Sequence, residues 1–105
     1  MSVIVVNKEN FNEIKAGNKP LLLDFYADWC GPCRMVSPLV DEIADEHPEY
    51  TVGKINVDDD LELAQAFGVV SIPMLVVMKD GAIVDQAVGV RPKEDILAML
   101  EQANG

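Results

Sequence analysis

Apolar runs of strand length and apolar stripes with helical spacing alternate along the chain. Five runs predict strands, because their apolar residues lack the three-to-four-residue spacing of a helix. They span residues 3–6, 20–27, 51–57, 74–78 and 82–88. The run 20–27 is apolar almost throughout, which is typical of a strand covered on both faces. Asp80-Gly81, between the last two runs, predicts a two-residue hairpin turn.

The segments between these runs predict four helices with one apolar face each. The clearest helix follows the two cysteines and ends at His47-Pro48, and Pro38 inside it predicts a kink near Arg34. Asn7 and Asp59 are candidate N-caps of two shorter helices, and Pro92 opens the last one. The expected inward stripes are Phe11 and Ile14; Met35, Val36, Leu39, Val40, Ile43 and Ala44; Leu61, Ala64 and Phe67; and Ile96, Leu97, Leu100 and Ala103.

The resulting order, β-α-β-α-β-α-β-β-α, predicts an α/β fold. Crossover units imply parallel strand pairs with helices on both faces, and the hairpin adds an antiparallel edge. We therefore expect a central mixed five-stranded sheet flanked by four helices on both faces, formed by a single domain over residues 1–105. In such sheets, sites form beyond the carboxyl ends of the strands.

The net charge, the length of the apolar runs and the amino-terminal residues limit the partners and the cellular location expected for the protein. A net charge of −10, with 8 basic residues scattered along the chain, argues against nucleic acid as a partner. No apolar run approaches the roughly 20 residues that span a bilayer, so no membrane association is expected. The amino terminus has Met1 and no basic segment of a signal peptide, which predicts a complete, cytoplasmic chain.

Cys30 and Cys33 are the only cysteines, and they lie where a strand gives way to a helix. The free N–H groups and the dipole at a helix start stabilise a thiolate and lower the pKa of the thiol. Cys30 is therefore a candidate nucleophile and Cys33 its resolving partner. A purely structural disulfide would close too small a loop to stabilise the fold much. Zinc requires four ligands, and His47 lies about 20 Å away along the helix, so we expect no metal.

Asp24 and Trp29 are the other informative residues near this junction. Asp24 lies within Leu-Leu-Leu-Asp-Phe-Tyr, where burial would raise the pKa of its carboxyl and suit it to act as a general base. The alternative, a carboxylate that faces solvent at a strand edge, is equally compatible with the pattern. Trp29 adjoins Cys30 and either offers a binding surface or packs in the core.

With its order of elements and the motif Trp29-Cys30-Gly31-Pro32-Cys33, the chain resembles the thioredoxin family from end to end. Further matching segments are residues 24–35, 54–58, 71–73 and 88–89. The motif at a strand-to-helix junction is highly specific, whereas a bare Cys-x-x-Cys would be a weak signal.

The resemblance assigns roles residue by residue. It implies Cys30 as nucleophile, Cys33 as the more buried resolving thiol, Asp24 as a buried acid with Lys54 as its ion partner, and Pro73 as a cis-proline against the disulfide. It also implies an apolar docking surface for substrate chains, formed by Trp29, Gly31, Pro32, Ile72, Gly89 and Val90.

The chain departs from the family pattern at two places. Met74 follows Pro73, where a small polar residue is common. We expect Met74 to belong to the docking surface, which it would make softer and more apolar if exposed. Asp28 places a negative charge two residues before Cys30 and opposes the thiolate, whereas Arg34 is a cation that can offset it.

The function implied by the resemblance is that of a general protein-disulfide reductase. Such a protein holds no bound cofactor, is a monomer, reduces disulfide-containing client proteins, and is re-reduced by an NADPH-dependent thioredoxin reductase. One alternative is an oxidase or isomerase, although those relatives commonly place His before the second cysteine, where this chain has Pro32. Another is a binding module whose contacts do not depend on the cysteines.

Overall fold

The computed structural model describes residues 3–104, and the elements there follow the predicted order. The strands are β1 (Ile4–Val5), β2 (Leu21–Tyr26), β3 (Thr51–Asn56), β4 (Met74–Lys79) and β5 (Ala82–Val88). The helices are α1 (Phe11–Lys15), α2 (Gly31–Glu46), α3 (Leu61–Ala66) and α4 (Lys93–Asn104). The predicted domain also includes Met1, Ser2 and Gly105, which lie outside the described residues. No helix within residues 3–104 is long and apolar enough to cross a membrane.

The sheet is mixed, as predicted, with the strand order β1-β3-β2-β4-β5. β3 runs parallel to both β1 and β2, whereas β4 runs antiparallel to β2 and β5. The carboxyl end of β2 therefore lies at the same edge as the amino end of β4, where Phe25 is opposite Met74. This register brings the segment that follows β2, which contains the cysteines, next to the segment that precedes β4, which contains Pro73.

The alternating side chains of β2 feed two separate apolar clusters, one on each face of the sheet. Leu22 packs with the buried stripes of α2 and α4, and the members from those helices are Val36, Val40, Ile43, Ala44, Ile96, Met99 and Leu100. On the other face, Leu23 and Phe25 pack with Leu63 of α3 and with Phe11 and Ile14 of α1. Burial on both faces explains why β2 is almost entirely apolar. The alternation of side chains along β2 also places Asp24 on the same face as Leu22, beneath α2.

The turn between β4 and β5 has the predicted conformation. Asp80 and Gly81 both adopt positive φ values, 54° and 82°. Two successive positive φ values define the type I′ turn, whose twist matches that of paired antiparallel strands. Lys79 pairs with Ala82 across the turn, so the loop has the predicted length.

The N-cap of α3 is Asp60, and the prediction of Asp59 was wrong. Asp60 Oδ1 accepts a hydrogen bond of 2.9 Å from the Leu63 N–H, and its Oδ2 accepts one of 2.6 Å from the Lys8 N–H. Asp59 is still part of the preceding turn, because its N–H donates to the Asn56 carbonyl. The carboxylate of Asp60 thus caps α3 and also fixes the amino-terminal segment.

Asn7 precedes α1 by a full turn and does not cap it. Its Oδ1 accepts hydrogen bonds of 3.0 Å from the N–H groups of Glu9 and Asn10, which closes a turn before the helix begins at Phe11. Two predicted inward residues were also wrong, because Met35 and Leu61 are exposed. Each lies at the edge of its apolar stripe, on the side of the helix that turns towards solvent. α2 itself continues through Pro38 as one helix.

We predict that Asp60→Ala lowers the free energy of unfolding by about 2 kcal/mol. The substitution removes an N-cap, which is worth about 1 kcal/mol, and leaves the Lys8 N–H without its acceptor. Urea denaturation of the oxidised protein, followed by Trp29 fluorescence, measures the change.

Asp59→Ala is the matched control, since it removes a neighbouring exposed carboxylate that caps nothing. We expect it to change the stability by less than about 0.5 kcal/mol. Equal losses in the two variants would contradict the capping role of Asp60.

Candidate active site

Cys30 and Cys33 form a disulfide at the amino-terminal end of α2, with their Cα atoms 5.3 Å apart. Cys30 is the N-cap residue, and its Sγ accepts a hydrogen bond of 3.2 Å from the Cys33 N–H. The exposed fractions are 4% for Cys30 and 3% for Cys33. The expectation that Cys33 is the more deeply buried of the two is therefore not visible in this oxidised state. Their positions differ instead, because Cys30 precedes the helix and Cys33 lies in its first turn.

The position of Cys30 directs the electrostatics of α2 at its sulfur. The first N–H groups of a helix have no partner within the helix, and the aligned peptide dipoles add positive potential there. The donor that reaches the sulfur is the Cys33 N–H. Pro32, which precedes it, has no N–H to donate. A negative charge on Cys30 Sγ is favoured at this place.

The segment before β4 closes over the disulfide. The Ile72–Pro73 peptide bond is cis, as the family resemblance implied. The Ile72 carbonyl oxygen lies 3.8 Å from Cys30 Sγ, and Ile72 packs against the cluster formed by Ala27 and the two cysteines. The Pro73 carbonyl accepts a hydrogen bond of 2.8 Å from the Gly89 N–H, where φ is +94°, a conformation that favours glycine. This bond connects the disulfide region with the start of the next loop.

The structure places most of the predicted docking residues at the surface. Trp29 is 68% exposed, so the alternative that it packs in the core is wrong. Its Nε1–H donates a hydrogen bond of 2.8 Å to Asp58 Oδ2. Gly31, Pro32 and Val90 are exposed, and Ile72 and Gly89 are half-buried. Next to Trp29 lies an apolar groove of about 310 Å³, also lined by Leu61, Val70 and Ile72.

Met74 does not belong to that surface, which corrects the prediction that it forms part of the docking site. It is 5% exposed and packs in the cluster that contains Phe25 and Leu63. Both faces of β4 are covered, so residues 74 to 78 are all buried, and alternation places Met74 on the face of Phe25 and Leu63.

Asp24 is fully buried, so the alternative of a solvent-facing carboxylate is wrong. Neither of its carboxyl oxygens has a hydrogen-bond partner among residues 3–104. Burial raises the pKa of Asp24 from 3.8 to about 7, the charge of Lys54 lowers it in part, and the charge of Asp41 adds to the rise. A buried carboxyl with a pKa near neutrality can both hold and release a proton at physiological pH.

Lys54 lies opposite Asp24 in the β2–β3 register but does not pair with it directly. Among the described residues, its Nζ donates a hydrogen bond of 2.6 Å to Ser37 Oγ and lies 3.9 Å from Asp41 Oδ1. It also lies 5.1 Å from the centroid of the Tyr26 ring. The expected ion pair is therefore replaced by an attraction at longer range.

Sequence reasoning missed Ser37 and Asp41. They follow Cys33 by four and eight residues and so share one face of α2 with it. This polar stripe beside the apolar stripe of α2 is the signal that could have identified them.

A polar cleft of about 280 Å³ opens beside Cys33. The lining residues are Tyr26, Ala27, Asp28, Cys33, Arg34, Ser37 and Lys54. Arg34 donates a hydrogen bond of 2.7 Å from its guanidinium to the Asp28 main-chain carbonyl. This contact holds the guanidinium at the Asp28 main chain, and the offset of the Asp28 charge by Arg34 stays a prediction.

His47 lies at the opposite end of α2 from the cysteines. It is the C-cap residue, its Nδ1 is 2.9 Å from Glu49 Oε2, and its ring stacks on Tyr50. Within residues 3–104, no group of three or more His, Cys, Asp or Glu side chains is arranged to hold a metal ion.

Comparison with known proteins identifies the family. The family model described as thioredoxin matches residues 2–102. Curated thioredoxins from Alicyclobacillus acidocaldarius and Pyropia yezoensis are similar along their length. The first is 43% identical over 100 residues, which cover 94% of this chain and 95% of the relative. The second is 46% identical over 104 residues, which cover 97% of each chain.

Solved structures agree with this assignment. A mutant thioredoxin from Halobacterium salinarum NRC-1 matches with a TM-score of 0.92 and 34% identity, over 99% of this chain and 92% of that one. Thioredoxin from Malassezia sympodialis matches with a TM-score of 0.87 and 31% identity, over 97% and 91% of the two chains. With its disulfide-bonded Cys30 and Cys33 at the start of α2, the chain belongs to the thioredoxin family and is a thiol–disulfide oxidoreductase.

Proposed function

We propose that the protein is a general protein-disulfide reductase that acts through Cys30 and Cys33. The observation that carries this proposal is that Cys30 is both the N-cap of α2 and one half of a disulfide beside an exposed apolar surface. A thiolate at this position is stabilised electrostatically, and the surface gives a client chain a place to bind next to it.

In the first step, the Cys30 thiolate attacks one sulfur of a client disulfide. The Cys30–client sulfur bond forms as the client disulfide breaks, and the other client sulfur leaves as a thiolate that takes up a proton. The hydrogen bond from the Cys33 N–H favours the charge on Cys30 before the attack. The product is a mixed disulfide between protein and client.

In the second step, Cys33 resolves the mixed disulfide. Asp24 is the proposed general base that takes the Cys33 proton. Its buried position, without a hydrogen-bond donor from residues 3–104, keeps it basic near neutral pH. The Cys33 thiolate attacks Cys30 Sγ, the Cys30–client bond breaks, and the second client thiolate leaves. Two electrons have then passed from the cysteine pair to the client, and Cys30–Cys33 is a disulfide again.

Clients are proposed to dock on Trp29, Gly31, Pro32, Ile72, Gly89 and Val90. The groove beside Trp29 offers room for an apolar side chain next to the client disulfide. The hydrogen bond from Gly89 to the Pro73 carbonyl holds two parts of this surface together. Since Cys30 Sγ lies close to the Ile72 carbonyl, a docked main chain would lie within reach of the sulfur.

The direction of electron flow is proposed from the residues between the cysteines. Gly31 and Pro32 bring no ionisable group that would stabilise the reduced form and turn the protein into an oxidase. We propose that an NADPH-dependent thioredoxin reductase restores the dithiol and that the protein needs no bound cofactor of its own. The protein would carry electrons as a monomer in the cytoplasm. That compartment is reducing, and protein thiols there are kept reduced.

The test of this function is a coupled assay with NADPH, a thioredoxin reductase and insulin as the disulfide client. We expect NADPH oxidation that depends on all three components. Reduction of insulin with dithiothreitol but not with NADPH and the reductase would contradict the proposed partner. No reduction in either system would contradict the reductase function itself.

Two cysteine variants test the order of the steps in the same assay. Cys30→Ser removes the nucleophile, and we expect no turnover and no adduct. Cys33→Ser permits attack but not resolution, so a mixed disulfide with insulin accumulates and is visible by mass spectrometry under non-reducing conditions. An adduct through Cys33 in the Cys30→Ser variant, and none in Cys33→Ser, would reverse the two roles.

We predict that Asp24→Asn slows resolution of the mixed disulfide at pH 7 by about 100-fold, the lower range of what a general base contributes. Attack by Cys30 should change far less. Rapid-quench measurement of adduct formation and decay separates the two rates. Equal slowing of both would contradict a base role for Asp24.

The free energy of unfolding, measured as a function of pH, is the control that shows whether Asp24→Asn still folds. The pKa of Asp24 is raised in the folded state, so the wild-type protein loses stability as the pH rises from about 4 to about 7. The Asn variant carries no such charge and should be more stable at pH 8 by up to about 4 kcal/mol, since each pH unit of difference is worth about 1.4 kcal/mol. Below pH 4 the two proteins should converge, and urea denaturation at several pH values measures this.

A further inference from the structure

The Lys54 ammonium points towards α2 although a buried carboxylate lies opposite it in the sheet. Lys54 and Asp24 are register partners on neighbouring parallel strands, so their side chains emerge on the same face. The ammonium nevertheless donates to Ser37 Oγ at 2.6 Å and lies 3.9 Å from Asp41 Oδ1. Within the described residues, it makes no contact with Asp24 short enough to count as an ion pair.

A direct bond between these two groups would satisfy both of them. The Asp24 oxygens have no hydrogen-bond partner within residues 3–104, and an ammonium attracts an ionised carboxylate more strongly than it attracts a neutral hydroxyl. The Lys54 side chain is flexible and already largely buried. Other groups must therefore compete for the ammonium, and those near it among the described residues are Ser37, Asp41 and the Tyr26 ring.

We propose that Ser37 is a positioning residue that, together with Asp41, holds the Lys54 ammonium at the polar cleft and out of a direct ion pair with Asp24. Ser37 lies one turn after Cys33 on the same face of α2, so its hydroxyl is in the cleft that the resolving cysteine also lines. The hydroxyl does not touch the reacting sulfurs, and it acts through Lys54.

This arrangement matters because of the base role proposed for Asp24, on which the inference rests. A carboxylate bonded directly to an ammonium is held in its ionised form and becomes a weak base. With the ammonium on Ser37, Asp24 feels the positive charge only at longer range. The carboxyl then takes up a proton from Cys33 and holds it near neutral pH.

The charges that face Asp24 come from a small set of elements. β3 contributes Lys54, and α2 contributes Asp41. β2, the strand of Asp24 itself, contributes Tyr26. β4 presents Leu75 opposite Asp24, and the nearby side chains of α4 are apolar. A change in the Asp24 environment after substitution of Ser37 can therefore be traced to Lys54 or Asp41.

The test is the titration of the Asp24 carboxyl by carbon NMR in the oxidised protein, where the disulfide-bonded cysteines do not titrate. We expect a midpoint near pH 7 in the wild-type protein. In Ser37→Ala the ammonium is free to bind Asp24, and the midpoint should fall by about one pH unit or more. Ser37→Thr keeps the hydroxyl and should retain the wild-type midpoint.

A double variant shows whether the effect passes through Lys54. In the Lys54→Met background, Ser37→Ala should no longer shift the Asp24 midpoint, because no ammonium remains to be repositioned. An unchanged or raised midpoint in Ser37→Ala would overturn the proposal. So would a lowered midpoint that persists without Lys54.

The pH dependence of mixed-disulfide resolution separates this inference from the proposed function. If both hold, the acid limb of the rate profile moves to lower pH in Ser37→Ala together with the NMR midpoint, and the plateau falls. If Asp24 is not the base, the NMR midpoint moves and the rate profile does not. If Ser37 does not position Lys54, neither quantity moves, while Asp24→Asn still slows resolution.

Discussion

The hydrogen bond from the Cys33 N–H to Cys30 Sγ is the contact on which the site depends. It exists because β2 ends just before Cys30 and α2 begins just after it, with Pro32 in the first turn. The two elements are fixed by packing far from the sulfur, through apolar residues that are buried on both faces of β2. The reactivity proposed for Cys30 is thus a product of where the sheet and helix meet, and not of any residue that touches the sulfur as an acid or base.

A second stripe on α2 brings polar chemistry to the same junction. The apolar stripe binds α2 to the sheet, and the polar stripe of Cys33, Ser37 and Asp41 follows beside it. Beneath this stripe, the sheet encloses Asp24 without a hydrogen-bond donor among the described residues and places Lys54 next to it. One helix therefore lies next to both the proposed nucleophile, at its end, and the proposed proton transfer, along its side.

Much of the fold and the position of the cysteines could be predicted from the sequence, because they depend on patterns of neighbouring residues. The apolar run of β2, the helix after the cysteines and the turn at Asp80-Gly81 each follow from a few adjacent residues. The errors involve contacts between distant segments or the direction of one side chain. Asp60 caps α3 while it also binds the Lys8 N–H, 52 residues away. Met74 is buried because both faces of β4 are covered. The Lys54 ammonium binds Ser37 and not Asp24, which no spacing along the chain reveals.

Stabilisation of the Cys30 thiolate can be measured through the pH dependence of iodoacetamide alkylation in the fully reduced protein, with the modified cysteine assigned by mass spectrometry. We expect Cys30 to be modified first, with a rate that reaches half its maximum at least about one pH unit below that of an unstructured peptide with the same motif. Identical profiles for the folded protein and the peptide would contradict stabilisation of the Cys30 thiolate by the start of α2.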